Sequence, residues 1–129
     1  MASGGPPAVR AIWPGTAAGQ FADAYADMHV TAVIFPEVRD AVRVITRHFR
    51  TGVVANADHD YLMQCLDHND LRFDLLVDSE TARCYKPEPR IFQRACDALS
   101  VPAGRTVMVG DTPETDIRGP AGPVFGRYG

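Results

Sequence analysis

The chain has 129 residues, 46% of them hydrophobic, and a formal net charge of −3. That length suits one folded domain with one core, and the apolar share excludes a disordered chain. The acidic balance disfavours a nucleic-acid or anionic-membrane surface, and no apolar stretch approaches the roughly 18–20 residues that span a bilayer.

The opening MASGGPPAVR lacks the apolar centre of a secretion signal and reads as a loose tail. Phe21, Ala24, Tyr25 and Met28 recur at i, i+3, i+4, i+7, which predicts a helix with those residues on its buried face. Pro36 interrupts the chain, and Val38, Ala41, Val42, Ile45 and Phe49 resume a helical period. Gly52-Val53-Val54-Ala55 predicts a short buried strand. His59 to Asp67 predicts a helix with Leu62, Cys65 and Leu66 inward, and Phe73 to Val77 a second strand. After Pro87 and Pro89, Ile91, Phe92, Ala95, Cys96 and Leu99 mark another one-faced helix. Thr106 to Val109 predicts a third strand, and Val124-Phe125 a last short one. Strands alternating with helices imply an α/β fold with a mostly parallel sheet covered on both faces. In such sheets ligands lie beyond the carboxyl ends of the strands, here the loops after Ala55, Val77 and Val109.

Cys65, Cys84 and Cys96 show no CxxC spacing, so they read as small buried apolar residues in a reduced, cytoplasmic protein rather than as a disulfide or zinc framework. Chemistry concentrates elsewhere. In GDTPETD, Gly110 permits a tight exit from the strand and Asp111 stands at its end. Carboxylates there either hold a hard divalent ion through oxygen or cap the following helix, as Thr112, Pro113 and Glu114 would suit. In CYKPEPRIF two prolines flank Glu88 and fix the backbone around Lys86, the only lysine in a chain that otherwise uses arginine. An ammonium is a compact point charge for a phosphate or clustered carboxylates. Asn56 follows the first strand, where it serves either as an anion donor or as a turn residue. His59 reads as a surface helix residue.

Taken together, VVAN, FDLLVDSE, YKPEPRIF and VGDTPETD resemble the haloacid dehalogenase-like superfamily of Mg²⁺-dependent phosphatases and dehalogenases, over about Phe35 to Ile117. The resemblance implies a Rossmann-like three-layer sandwich with an incomplete core and a remnant of a helical cap at the N-terminus. It divides the chain into a tail or degenerate first strand (1–16), a cap-derived helical segment (17–35) and the hydrolase core (36–129). It makes Lys86 the residue that neutralises phosphate and nucleophile charge, Asp111 and Asp116 the Mg²⁺ ligands, and Asn56 a residue touching the phosphoryl group. The implied partner is a small phosphorylated or halogenated substrate.

Two positions depart from the pattern. Ala55 stands where the family has a Ser or Thr hydroxyl. The family's strand ending in Asp-x-Asp-x-Thr, whose first aspartate is the covalent nucleophile, has no counterpart before Phe35, where the only acids are Asp23 and Asp27 on a helical pattern. Asp58-His59-Asp60 has the spacing but starts a helix. Val9–Trp13 either fills the central strand slot without chemistry, or the chain begins inside the cap segment and the nucleophile strand is missing. The expectation is a truncated hydrolase, inactive as an isolated chain. The alternatives are a remnant domain that binds Mg²⁺, phosphate or a partner, or a subunit that pairs with itself or with a complete homologue.

Overall fold

A computed structural model describes residues 16–118. The predicted Val9–Trp13 strand slot and the Val124-Phe125 strand lie outside the described residues.

The element order is α1 (Thr16–Val30), α2 (Pro36–His48), β1 (Gly52–Ala55), α3 (His59–His68), β2 (Leu75–Asp78), α4 (Ser79–Ala82) and α5 (Pro89–Leu99). A 3₁₀ turn at Ala103–Arg105 and a single π turn at Pro113–Ile117 complete it. Strands β1 and β2 pair in parallel, with Gly52 opposite Leu75 and Ala55 opposite Asp78. Both strands therefore deliver their carboxyl ends, Ala55 and Asp78, to the same edge.

Local chemistry explains the boundaries. Helices α2 and α5 begin on Pro36 and Pro89, where the missing N–H costs nothing and φ is already helical. Glu37 in the first turn of α2 and Arg47 and His48 in its last complement the helix dipole. The four-residue α4 is capped by Asp78, whose Oδ1 accepts the Thr81 amide at 2.7 Å. Helix α5 ends on Ser100 in the left-handed region at φ 55°.

The core lies between β2 and α5. Val77, Cys84, Ile91, Phe92 and Ala95 are buried together, with Val54, Leu75, Ala82 and Met108 packed against them. Cys84 and Cys96 are buried and Cys65 half-buried, all as free thiols, as small apolar residues should be.

Two expectations are overturned. Helix α1 forms, but Phe21 (66% exposed), Tyr25 and Met28 face outward and Ala22 is the buried residue. The helix lies against α3 on the face through Ala22, with Ala26, His29 and Val30 half-buried and the Cys65 thiol facing the His29 carbonyl at 3.7 Å. Periodicity located the helix but pointed to the face of its largest side chains, whereas α3 covers the neighbouring one. The third strand, Thr106 to Val109, is reduced to a single bridging residue at Val107. Val107 is exposed and Val109 is 84% exposed; only Met108 turns toward the core. Among the described residues the sheet has two strands, so no neighbouring strand covers the valines.

The link from α1 to α2 is fixed by one buried side chain. Asn69 Oδ1 accepts the Ile34 amide at 3.1 Å, and its Nδ2 donates to the Ala32 and Cys65 carbonyls at 2.9 and 3.0 Å. Asn69→Ala leaves those backbone groups without their partners, and we expect a loss of about 1–3 kcal/mol in urea unfolding. A loss within error of zero shows that water replaces the amide freely.

Candidate active site

The site is built where β1 ends, where the Lys86 loop passes, and where the 110–118 segment turns. Asn56 directly follows β1. Its side chain makes a reciprocal pair with the backbone of Lys86: Nδ2 donates to the Lys86 carbonyl at 3.0 Å, and Oδ1 accepts the Lys86 amide at 2.7 Å. The sequence offered Asn56 as an anion donor or a turn residue; the structure uses it to hold the loop that carries the lysine. That loop has a cis Lys86–Pro87 peptide, and its turn is closed by the Glu88 amide donating to the Tyr85 carbonyl at 2.8 Å.

Lys86 reaches the 110–118 segment through its ammonium. Nζ lies 2.5 Å from Asp116 Oδ1, with the lysine side chain 14% and the aspartate side chain 6% exposed. The second carboxylate oxygen, Oδ2, accepts the Thr112 amide at 3.1 Å, and the Thr115 hydroxyl donates to Oδ1 at 3.3 Å. The turn at Pro113–Ile117 brings this about: the Asp116 amide donates to the Thr112 carbonyl at 2.8 Å, the Arg118 amide closes the wider turn on the Pro113 carbonyl at 2.8 Å, and the carboxylate folds inward. Burial pushes the Asp116 carboxyl up, but the Lys86 and Thr112 hydrogen bonds outweigh it and hold it below the usual carboxylate range.

Gly110 is required by this packing. A Cβ there would lie 2.5 Å from Asp116 Cγ and Oδ2. Gly110→Ala must displace the buried carboxylate, and we expect about 1–3 kcal/mol of destabilisation. Thermal denaturation checks this, and an unchanged Tm overturns the close approach.

Asp111, the other acid carried over from the resemblance, is exposed and, among the described residues, takes a weak contact from the Thr112 hydroxyl at 3.3 Å. Of the four residues singled out, the structure thus joins Asn56, Lys86 and Asp116 and leaves Asp111 apart. Magnesium is the cofactor that the resemblance implies. Among the described residues no group of three or more His, Cys, Asp or Glu stands together to hold a metal ion. Both Asp116 oxygens are engaged, one by an ammonium. The exposed Asp111 is then the carboxylate of this loop left to offer oxygen to a cation. Mg²⁺ is usually held by one or two carboxylates, with waters and phosphate oxygens completing its shell, so Asp111 fits the ion as one ligand and does not by itself form a cage.

Sequence reasoning missed a second charged contact on the same edge. His59 Nδ1 lies 2.8 Å from Asp78 Oδ2, and Asp78 is 2% exposed. The available signal was Asp78-Ser79-Glu80, an acid at a strand end just before a helix start, in parallel register with Ala55. Beside it opens a cleft of about 530 Å³, lined by Asn56, Asp58, Ser79, Glu80, Arg83 and Tyr85, among others.

A parallel α/β sheet with an ammonium, a buried carboxylate and a cleft at the strand carboxyl ends defines a Rossmann-like protein with a charged site in the expected crevice. Comparison with known proteins makes this specific. A family described as haloacid dehalogenase-like hydrolase matches residues 7–122, and the chain belongs to that family. It is 51% identical over 47 residues to the rat N-acylneuraminate-9-phosphatase, covering 36% of this chain and 19% of that protein. It is 34% identical over 87 residues to the Escherichia coli pyrimidine 5'-nucleotidase YjjG, covering 65% of this chain and 39% of that one. The chain therefore spans well under half the length of these relatives. Among solved structures, a 2-haloacid dehalogenase from Pseudomonas syringae aligns at 31% identity with TM-score 0.61, over 81% of this chain and 46% of that one. A dehalogenase aligns at TM-score 0.75 and 19% identity over 90% of this chain and 52% of that one, which supports the Rossmann-like fold.

Proposed function

We propose that this chain carries the charge-neutralising part of a haloacid dehalogenase-like active site and does not turn over substrate by itself. The observation that carries the reading is Lys86, held by Asn56 through its backbone and by buried Asp116 through its ammonium, at the carboxyl edge of a parallel sheet. An ammonium so placed stabilises the negative charge of a phosphoryl group or a leaving halide. The phosphatases and dehalogenases among the relatives support that substrate class.

What supports inactivity is chemical. Covalent hydrolysis of the family's kind needs a carboxylate nucleophile. Asp23 and Asp27 lie on α1, not at a strand end. Asp58 and Asp60 flank the start of α3, and His59 between them is engaged by Asp78. Ala55 offers a methyl where a hydroxyl would bind a phosphate oxygen. Lys86 alone binds charge but breaks no bond.

The test compares wild type with Lys86→Met in three measurements: hydrolysis of p-nitrophenyl phosphate with Mg²⁺, hydrolysis of 2-chloropropionate, and calorimetry with inorganic phosphate. We expect no turnover by either protein, and weak phosphate binding by wild type only. Turnover lost in Lys86→Met overturns the inactive reading, and absence of phosphate heat from wild type overturns the binding reading.

A second reading, association with another copy or with a complete relative, is favoured by the bare valines at 107 and 109. Exposed apolar side chains of strand character invite a covering partner. Sedimentation velocity of the chain, alone and mixed with a complete relative, tests it; a monomer under both conditions rejects it.

A further inference from the structure

We infer that His59 and Asp78 form a pH-sensitive latch, tying the first turn of α3 to α4 and setting how firmly the Arg83–Lys86 loop is held. The inference stands on geometry and does not depend on the proposed binding role of Lys86.

Asp78 sits at the end of β2 and uses each oxygen for a different element. Oδ2 contacts His59 Nδ1 of α3 at 2.8 Å, and Oδ1 accepts the Thr81 amide of α4 at 2.7 Å. One nearly inaccessible carboxylate thus joins two helices. A third contact crosses the same gap: the His59 amide donates to Glu80 Oε1 at 3.4 Å. The Ser79 hydroxyl adds a bond to the Ala57 carbonyl at 3.2 Å. Beyond α4 the chain goes through Arg83 at φ 53°, buried Cys84 and Tyr85 to Lys86. The Ala82 carbonyl, at the near end of this segment, is tied to α5 by Arg94 at 2.9 Å, and Asn56 holds the Lys86 backbone at its far end, so the latch acts on the near end together with Arg94.

His59 is the switching member. It occupies the first turn of α3, where the helix dipole disfavours a cation. The charged groups facing it are acids: Asp78 from β2, Glu80 from α4, and Asp60 of its own helix. Asp58 precedes it, and Arg83 lines the same cleft. The hydrogen bond to Asp78 raises the His59 pKa above 6.5, against the opposing effect of burial, and the surrounding acids add to the rise. For Asp78, burial pulls upward, but the Thr81 and His59 hydrogen bonds prevail and hold it below 3.8. A raised histidine contributes stability that is complete below its unfolded value and is lost as pH rises through its folded value. A lowered aspartate contributes above its unfolded value and loses that contribution as pH falls through its folded value. Both members of the latch therefore carry charge together at mildly acidic pH, and the latch loosens on the alkaline side as His59 deprotonates.

The test is an NMR titration of the full chain from about pH 5 to 8, the range where histidine charge changes. It follows the His59 ring and the amides of Thr81, Arg83 and Lys86. We expect the His59 midpoint above the ordinary histidine value, and the three amides to move with the same midpoint. Their hydrogen exchange should quicken several-fold beyond that expected from pH alone once His59 is neutral. In Asp78→Asn the His59 midpoint should fall to its ordinary value or below. Because that change also alters the α4 cap and can unfold the chain, His59→Gln is the second variant, and in it the three amides should no longer titrate. A His59 midpoint unchanged by Asp78→Asn, or amides that still titrate in His59→Gln, overturns the latch.

Discussion

Lys86→Met will lower the unfolding free energy by about 3–5 kcal/mol at neutral pH, the range for stranding one member of a buried ion pair. The magnitude follows from Asp116, whose side chain is 6% exposed and would keep only the Thr112 amide and Thr115 hydroxyl as partners. The loss should depend on pH in a defined direction. With Lys86 present the Asp116 carboxyl lies below 3.8, so its contribution is in place above that value and disappears as pH falls through the lowered one. Without the ammonium, burial dominates and the carboxyl takes up its proton at a higher pH. The gap between the two proteins therefore narrows on acidification. Urea unfolding at neutral pH and near pH 4 measures both, and the double variant Lys86→Met/Asp116→Leu should recover much of the loss. A neutral-pH loss below about 1 kcal/mol, as for exposed pairs, would show that water reaches Asp116.

Phe92→Ala should cost a similar amount, about 3–5 kcal/mol, for a different reason. Phe92 is 1% exposed and belongs to the cluster with Val77, Cys84, Ile91 and Ala95. Removing the ring opens a cavity between α5 and β2 that the remaining aliphatic groups fill only in part. The consequence extends beyond stability. Helix α5 starts at Pro89, three residues after Lys86, and Cys84 lies in the same cluster, so one apolar contact fixes the loop from both sides. The Lys86 amide should therefore shift in Phe92→Ala and stay in place in an exposed control such as Gln93→Ala. A loss no greater than the control's would refute the packing.

The elements best read from the sequence are those in which local chemistry and burial agree. Gly52–Ala55 is one: two β-branched valines between a glycine and an asparagine form a strand with those same bounds. The α5 helix is another, begun by Pro89 and buried along Ile91, Phe92, Ala95 and Cys96. Reading failed where the partner surface decided the outcome. Nothing in Phe21, Tyr25 and Met28 reveals that α3 approaches on the Ala22 side. Val107 and Val109 have strand character, but a strand needs a neighbour, and among the described residues the sheet has two strands. The site divides the same way. Lys86 stood out by its rarity and its prolines, and Asp116 by its place in an acidic loop. The pairing of one with the other, and the isolation of Asp111, depend on a wide turn no spacing rule anticipates. His59 and Asp78 lie 19 residues apart on different elements and meet only because β1 and β2 run in register.

The contact between Asn56 and Lys86 is lopsided: a side chain on one end, main chain on the other, across 30 positions of sequence. Through this contact, substitution is felt in one direction only. Almost any residue at 86 still presents an N–H and a carbonyl to Asn56, so a change there strands Asp116 but leaves the perch itself intact. Position 56 has no such latitude, since only an amide donates and accepts at that spacing.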